Sequence, residues 1–124
     1  MKIFFIAMAL SVSFSALASN ARSVFLSDKK TETIRILPGR STILSFPSRP
    51  TKVILGNQGL FAIEYVENDI AIAATKSGAQ SNLFVYLEGR RFGFDLRTVG
   101  EAGDEIVLVR DSDDRKVKVK IKNE

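Results

Sequence analysis

The sequence contains no cysteine, no histidine and no tryptophan, and only 3 prolines among its 124 residues. Without cysteine no disulfide can form, so buried apolar surface must stabilise the fold. The lack of histidine removes the commonest general base and metal ligand, and the lack of thiols removes cysteine nucleophiles and sulfur-bound zinc. No serine lies in a G-x-S-x-G motif, and no phosphate-binding G-x-x-x-x-G-K motif occurs. We therefore expect a protein that is not an enzyme and has no catalytic, cofactor or metal site.

Two chemical alternatives stay open, a calcium site and an unusual catalytic site. Asp111, Asp113 and Asp114 lie close together, but the glycine and the closing glutamate of a calcium loop are missing, so a solvated turn is the better interpretation. An enzyme with an unusual serine or carboxylate site would require a concave polar pocket, which the sequence alone does not test.

The N-terminus has the pattern of a secretory signal. Lys2 precedes the apolar run Ile3–Leu10, and small residues lead to Ala16-Leu17-Ala18, a small-x-small cleavage pattern. The apolar run is shorter than the roughly 20 residues of a membrane-spanning helix. We expect a signal peptide over residues 1–18 that is cleaved after Ala18, a single folded domain over residues 19–124, and a location in the periplasm.

The rest of the chain has the pattern of an all-β domain. Short runs of β-branched and aromatic residues are separated by Gly, Pro, Asn and Asp every eight to twelve residues, as in antiparallel strands, and no stretch has sustained helical periodicity. About eight or nine strands in one domain predict an antiparallel β-sandwich. Besides a strand over Lys52–Leu55, consecutive strands are expected as these pairs: Thr33–Leu37 with Thr42–Phe46, Phe61–Tyr65 with Ile70–Ala74, Asn82–Leu87 with Arg91–Val99, and Glu105–Arg110 with Lys116–Ile121.

The strand over Asn82–Leu87 is apolar on both faces. Leu83, Val85 and Leu87 alternate with Phe84 and Tyr86. A strand with two apolar faces is normally covered on both sides. We therefore predict that Phe84 and Tyr86 belong to an interaction surface.

The last predicted strand alternates apolar residues with Lys116, Lys118 and Lys120. These lysines could bind an anionic surface, or they could protect a sheet edge from pairing with other chains. Removal of Lys2 with the signal would leave a modest net charge of +3, from 17 basic and 14 acidic residues, compared with +4 for the whole chain. No nucleic-acid partner is expected, since an exported protein seldom meets RNA and the Phe and Tyr pattern fits core packing.

Several segments between Thr33 and Arg97 resemble the N-terminal domain of the CagX/TrbG-like subunits of type IV secretion and conjugation machines. They are I-R-I-L-P-G-R-S-T-I-L-S-F, K-V-I-L-G-N, F-A-I-E-Y-V-E-N-D-I-A-I and S-N-L-F-V-Y-L-E-G-R-R-F-G-F-D-L. The final segment, with Ser81-Asn82-Leu83 and Arg91-Phe92, corresponds to the last hairpin of that domain. A looser resemblance is to the N-terminal domains of pilus-assembly secretins. The resemblance implies a periplasmic β-sandwich that acts as a scaffold subunit.

Two functions follow as hypotheses. The first is a non-enzymatic structural or adaptor subunit of a type IV secretion, conjugation or pilus assembly, whose partners are other subunits of the complex or further copies of itself. The second is a stand-alone periplasmic binder of an anionic lipid headgroup or cell-wall polymer, acting through the lysine-rich strand.

Overall fold

The computed structural model of the protein describes residues 21–111. Short β-branched and aromatic runs form nine strands in this range and no helix. The predicted signal peptide and its cleavage site, and the lysine-rich strand, lie outside the described residues. The strands are β1 (Ala21–Leu26), β2 (Thr31–Ile36), β3 (Ser41–Ser45), β4 (Lys52–Leu55), β5 (Phe61–Val66), β6 (Asp69–Ala74), β7 (Gln80–Leu87), β8 (Arg90–Thr98) and β9 (Ile106–Asp111).

The strands form two sheets that enclose one core, as the predicted β-sandwich requires. The first sheet has the order β1-β9-β3-β6-β5, and the second has the order β2-β8-β7-β4. The expected β5–β6 and β7–β8 pairs are confirmed as antiparallel hairpins. Glu88 and Gly89 both have positive φ, at 50° and 75°, which is the geometry of a tight type I′ hairpin turn.

Three pairings differ from the expected all-antiparallel arrangement. β1 with β9, β2 with β8 and β3 with β9 are parallel, so both sheets are mixed. The predicted pairing of Thr33–Leu37 with Thr42–Phe46 is wrong, because β2 and β3 lie in different sheets. The turn at Pro38-Gly39 forms, with Gly39 at φ 85°, but it carries the chain from one sheet to the other. A turn motif specifies a change of direction and does not specify which strand becomes the neighbour.

The predicted hairpin of Glu105–Arg110 with Lys116–Ile121 stays a prediction, because its second strand lies outside the described residues. Its first strand corresponds to β9, which lies between β1 and β3 and pairs with both along Ile106–Leu108. Strand β1 was not predicted as a separate strand, although the alternation of Val24 and Leu26 with polar neighbours was its signal.

The core consists of the inward side chains of both sheets. Buried residues alternate along β7 and β8, as the predicted strands require, and Leu83, Val85 and Phe92 are inside. Phe46 and Phe94 meet edge to face with ring centroids 6.2 Å apart, an arrangement that joins the two sheets at their centre. The strand orders leave β1 and β5 as the free edges of the first described sheet, and β2 and β4 as the free edges of the second.

Candidate functional site

The first cluster of polar side chains is centred on Asp104, which is 5% exposed. Arg22 from β1 donates from Nε to Oδ1 and from Nη2 to Oδ2, both at 2.9 Å, a bidentate pair. The backbone N–H of Arg35 in β2 donates to Oδ2 at 2.9 Å, and its Nη2 donates to Oδ1 at 3.3 Å. Thr42 in β3 donates its hydroxyl to the Asp104 carbonyl at 2.6 Å. One carboxylate thus joins both sheets at one corner of the sandwich.

The Asp104 cluster is fully used by the fold. Burial of Asp104 opposes its ionisation, but the hydrogen bonds from Arg22 and from the Arg35 backbone N–H, with both guanidinium charges, hold its pKa below the usual value. The hydrogen bond to Asp104 raises the pKa of Arg22, against the effect of desolvation. Both carboxylate oxygens of Asp104 therefore have donors within the protein.

Two shallow depressions lie beside this corner. One, of about 350 Å³, lies between Leu37-Pro38, Ser77-Gly78 and Thr98–Gly100, and the other, of about 310 Å³, adjoins the loop Gly100–Glu105. The second depression contains Asp104 and Glu105, but Glu105 accepts a hydrogen bond from Arg40 at 2.7 Å, so both carboxylates already have arginine partners. Within residues 21–111, no group of three or more potential metal ligands comes together.

The outer face of the second sheet has a different character. Phe84 and Tyr86 of β7 point away from the core and are half-buried. The pairing register places Ile54 of β4 beside Phe84 and places Lys52 beside Tyr86. Arg91 of β8 lies on the other side of Tyr86 and holds its guanidinium carbon 6.0 Å from the centroid of the Phe84 ring, a distance typical of a cation–π contact. We name the set Lys52, Ile54, Phe84, Tyr86 and Arg91 the aromatic–basic face.

Gly93 sets the position of Phe84 in the aromatic–basic face. Gly93 is the cross-strand partner of Phe84, and a Cβ there would lie 3.5 Å from the ring Cε1 and 3.3 Å from Thr31 Oγ1. The edge of the Phe84 ring therefore lies close to Gly93 of β8. Together the five residues form a surface of aromatic and aliphatic carbon that carries two cationic groups.

The structure brings the two predicted aromatic residues together but does not cover them. The inward face of β7 is buried as expected, whereas the described residues leave Phe84 and Tyr86 in partial contact with solvent. Ile54 beside them is 41% exposed. Among the described residues the inner face of β7 is buried and the outer face is half-buried, so cover of the outer face by a partner stays a prediction.

The remaining members of the aromatic–basic face were missed from the sequence. Lys52, Ile54 and Arg91 join Phe84 and Tyr86 only because β4 and β8 flank β7, and no local pattern specifies that order. The predicted binding residues Lys116, Lys118 and Lys120 lie outside the described residues, so their position relative to this face stays a prediction.

No protein-family model matches this chain, and no curated protein is significantly similar to it in sequence. Residues 21–111 contain no helix of the length and hydropathy needed to cross a membrane.

Proposed function

We propose that the protein is an exported, non-enzymatic structural or adaptor subunit of an envelope-spanning assembly of the type IV secretion, conjugation or pilus class, acting in the periplasm. The observation that carries this proposal is the aromatic–basic face. Phe84, Tyr86 and Ile54 form one continuous apolar surface on a rigid sheet, and partially exposed aromatic residues bordered by arginine are typical of protein–protein contacts.

Three further observations support the same function. The N-terminal residues have the pattern of a cleaved signal, and histidine and cysteine are absent from the sequence. The segments that resemble the CagX/TrbG-like domain include β7 and β8, which carry most of the aromatic–basic face. The Asp104 cluster is occupied by structural bonds, so the buried charge of the molecule has a role that needs no substrate.

The test is cross-linking and recovery of the tagged protein from its native cells. Wild type should recover one or more envelope proteins, and replacing Phe84→Ser with Tyr86→Ser should reduce the yield about tenfold or more, since buried aromatic anchors dominate interface energies. Ile106→Ser is the matched control, because Ile106 is 40% exposed on the other sheet. Lys52→Glu with Arg91→Glu tests the same face without removing aromatic rings from a half-buried position. Unchanged recovery with both double variants would contradict the proposal.

A second candidate is a binder of an anionic ligand, such as a lipid headgroup or a cell-wall polymer. It is favoured by the charges on the outer face of the second sheet, where Arg91, Arg97 and Lys52 are exposed. Binding to anionic vesicles should then fall steeply between low and physiological salt, since exposed charges are screened over about 8 Å. Unchanged vesicle binding after Lys116, Lys118 and Lys120 are all replaced by Glu would exclude the lysine-rich strand as the binding element.

A further inference from the structure

The free edge of β5 is the least protected edge of the described sheets. β1 contains Arg22, β2 contains Arg35, and the short β4 begins with Lys52 after two prolines, whereas β5 has the sequence Phe-Ala-Ile-Glu-Tyr-Val without Pro, Lys or Arg. Natural sheets normally protect an edge with prolines or lysines, because its unpaired N–H and C=O groups can accept a further strand. Tyr65 and Val66 at this edge are 59% and 55% exposed. The β5 edge therefore has the backbone and the apolar side chains to accept a strand.

The same edge carries negative charge without a neutralising partner. Glu64 and Asp69 lie on the outer face of β5 and β6, and Glu67 lies in the turn between these strands. Of the ion pairs among residues 21–111, none includes one of these three carboxylates. A strand added here would therefore be favoured by basic residues on its outer face and by apolar residues on its inner face.

We propose that the free edge of β5 binds residues 116–121 of a second copy of this chain as an additional β-strand. Val117, Val119 and Ile121 would lie on the inner side with Ile63 and Tyr65. Lys116, Lys118 and Lys120 would lie on the outer side with Ala62, Glu64 and Val66, so that Glu64 is the carboxylate directly beside them. Residues 116–121 alternate basic and apolar side chains. Because paired strands place neighbouring side chains on the same side of the sheet, the apolar residues would meet the inner face of β5 while the lysines meet its outer face.

The geometry of the first sheet favours a second copy over the same chain. β3, β6 and β5 separate β9 from the free edge, so an added strand lies roughly 19 Å from β9 at about 4.8 Å per strand. The strand pairings place Leu108 level with Val66, and Asp111 lies three residues further along β9. The distance from Asp111 to the added strand at the level of Val66 is therefore about 22 Å. The five steps from Asp111 to Lys116 span at most about 18 Å. The segment therefore reaches the β5 edge of another copy more readily than its own.

This contact goes beyond the proposed function, since it uses a different surface from the aromatic–basic face. The acceptor edge and the donor segment are different parts of the chain, so the contact is heterologous and can extend to further copies or close into a ring. A subunit with this contact would build a homo-oligomer and leave Phe84 and Tyr86 open to other proteins.

Sedimentation velocity over a concentration series tests the proposal, using protein purified after expression of the full-length chain. Wild type should self-associate, and more weakly as salt rises. Two variants should each associate about tenfold more weakly or worse, because like charges on paired strands repel. The first is Lys116→Glu with Lys118→Glu and Lys120→Glu, and the second is Glu64→Lys with Glu67→Lys. An equimolar mixture of the two should associate again, since each then meets an edge or a segment of opposite charge.

The control variant is Arg49→Glu with Lys29→Glu and Arg97→Glu, which changes net charge as much as the triple lysine variant does, at exposed positions outside β5 and β6. It should associate as wild type does. Wild type that stays monomeric at every concentration, a triple lysine variant that associates normally, or a mixture that stays dissociated would each overturn the proposal. Phe84→Ser with Tyr86→Ser should leave self-association unchanged, so this result is independent of the recovery of envelope proteins.

Discussion

The corner of the sandwich at β1 and β2 and the margin at β4 and β5 contain similar apolar side chains but differ in how well these are covered. In the closed corner, Leu26, Ile34 and Ile36 have no exposed surface. In the open margin, Val53, Leu55 and Ile63 are only partly buried against the core, and the neighbouring side chains of Tyr65 and Val66 are mostly exposed.

The difference comes from the polar loop that precedes β9. This loop brings Asp104 to Arg22 and Arg35, and the resulting hydrogen bonds hold the edges of both sheets together. Within residues 21–111, the ion pairs that join the sheets at an edge strand are those of Asp104, and they lie at the closed corner. We propose a division of roles, in which the closed corner stabilises the fold and the open margin and the adjoining aromatic–basic face serve in binding.

The largest expected effect is a contrast between apolar truncations at the two regions. Ile36→Ala in the closed corner should lower the free energy of unfolding by about 3–4 kcal/mol, because a fully buried side chain leaves a cavity. Val66→Ala in the open margin should change it by less than about 0.5 kcal/mol, since an exposed side chain is already hydrated. Urea unfolding followed by circular dichroism measures both. Equal losses would show that the two regions do not differ in stabilising the fold.

The second effect concerns the charge of Asp104. Asp104→Asn should lower the free energy of unfolding by about 2–3 kcal/mol, because the charge-assisted hydrogen bonds from both arginines are lost or weakened. A domain of this size should then melt about 8–20 °C lower. Glu101→Gln, on an exposed residue of the same loop, is the control and should melt as wild type does. An unchanged melting temperature for Asp104→Asn would show that the ion cluster does not stabilise the fold.

A third, smaller effect is expected at Gly103. A Cβ at this residue would lie 2.9 Å from Leu37 Cβ and 3.0 Å from the Leu37 backbone nitrogen, so the loop must shift to accept it. Gly103→Ala should therefore cost about 1–2 kcal/mol of unfolding free energy. Gly100→Ala is the matched control, since nothing lies within 4 Å of a Cβ there. Similar stabilities for the two variants, measured by thermal unfolding, would show that the loop is not tightly held.

The smallest effect is a dependence of stability on acid. The pKa of Asp104 is lower in the folded protein than its ordinary value, so this group contributes stability above about pH 4, the unfolded value, and loses it as pH falls through the folded value. Wild type should therefore lose more unfolding free energy between about pH 5 and pH 2 than Asp104→Asn does. Parallel pH profiles for the two proteins would contradict the role given to the charged carboxylate.

The sequence predicted the elements of the fold better than their arrangement. The alternation in Arg91–Val99 specified which side chains are inside, because period-two burial is a local property, whereas Asn82–Leu87 is apolar on both faces and did not specify its inner face. The pairing of β2 with β8 and of β9 with β1 and β3 was missed, since these contacts join strands far apart in the chain. The Asp104 cluster was not predicted, because nothing near Asp104 in the sequence indicates that two distant arginines will bury it. Phe84 and Tyr86 were found because a strand with two apolar faces is itself a local signal.

Hydrogen exchange measured by mass spectrometry on dilute and concentrated protein tests the division between the two regions most directly. The account predicts that amides of β2 and β8 exchange slowly at both concentrations, while β5 exchanges quickly in dilute protein and becomes protected only at high concentration. The contradictory result is a β5 as protected as β8 in dilute protein, or a β5 whose exchange rate stays the same as the protein is concentrated.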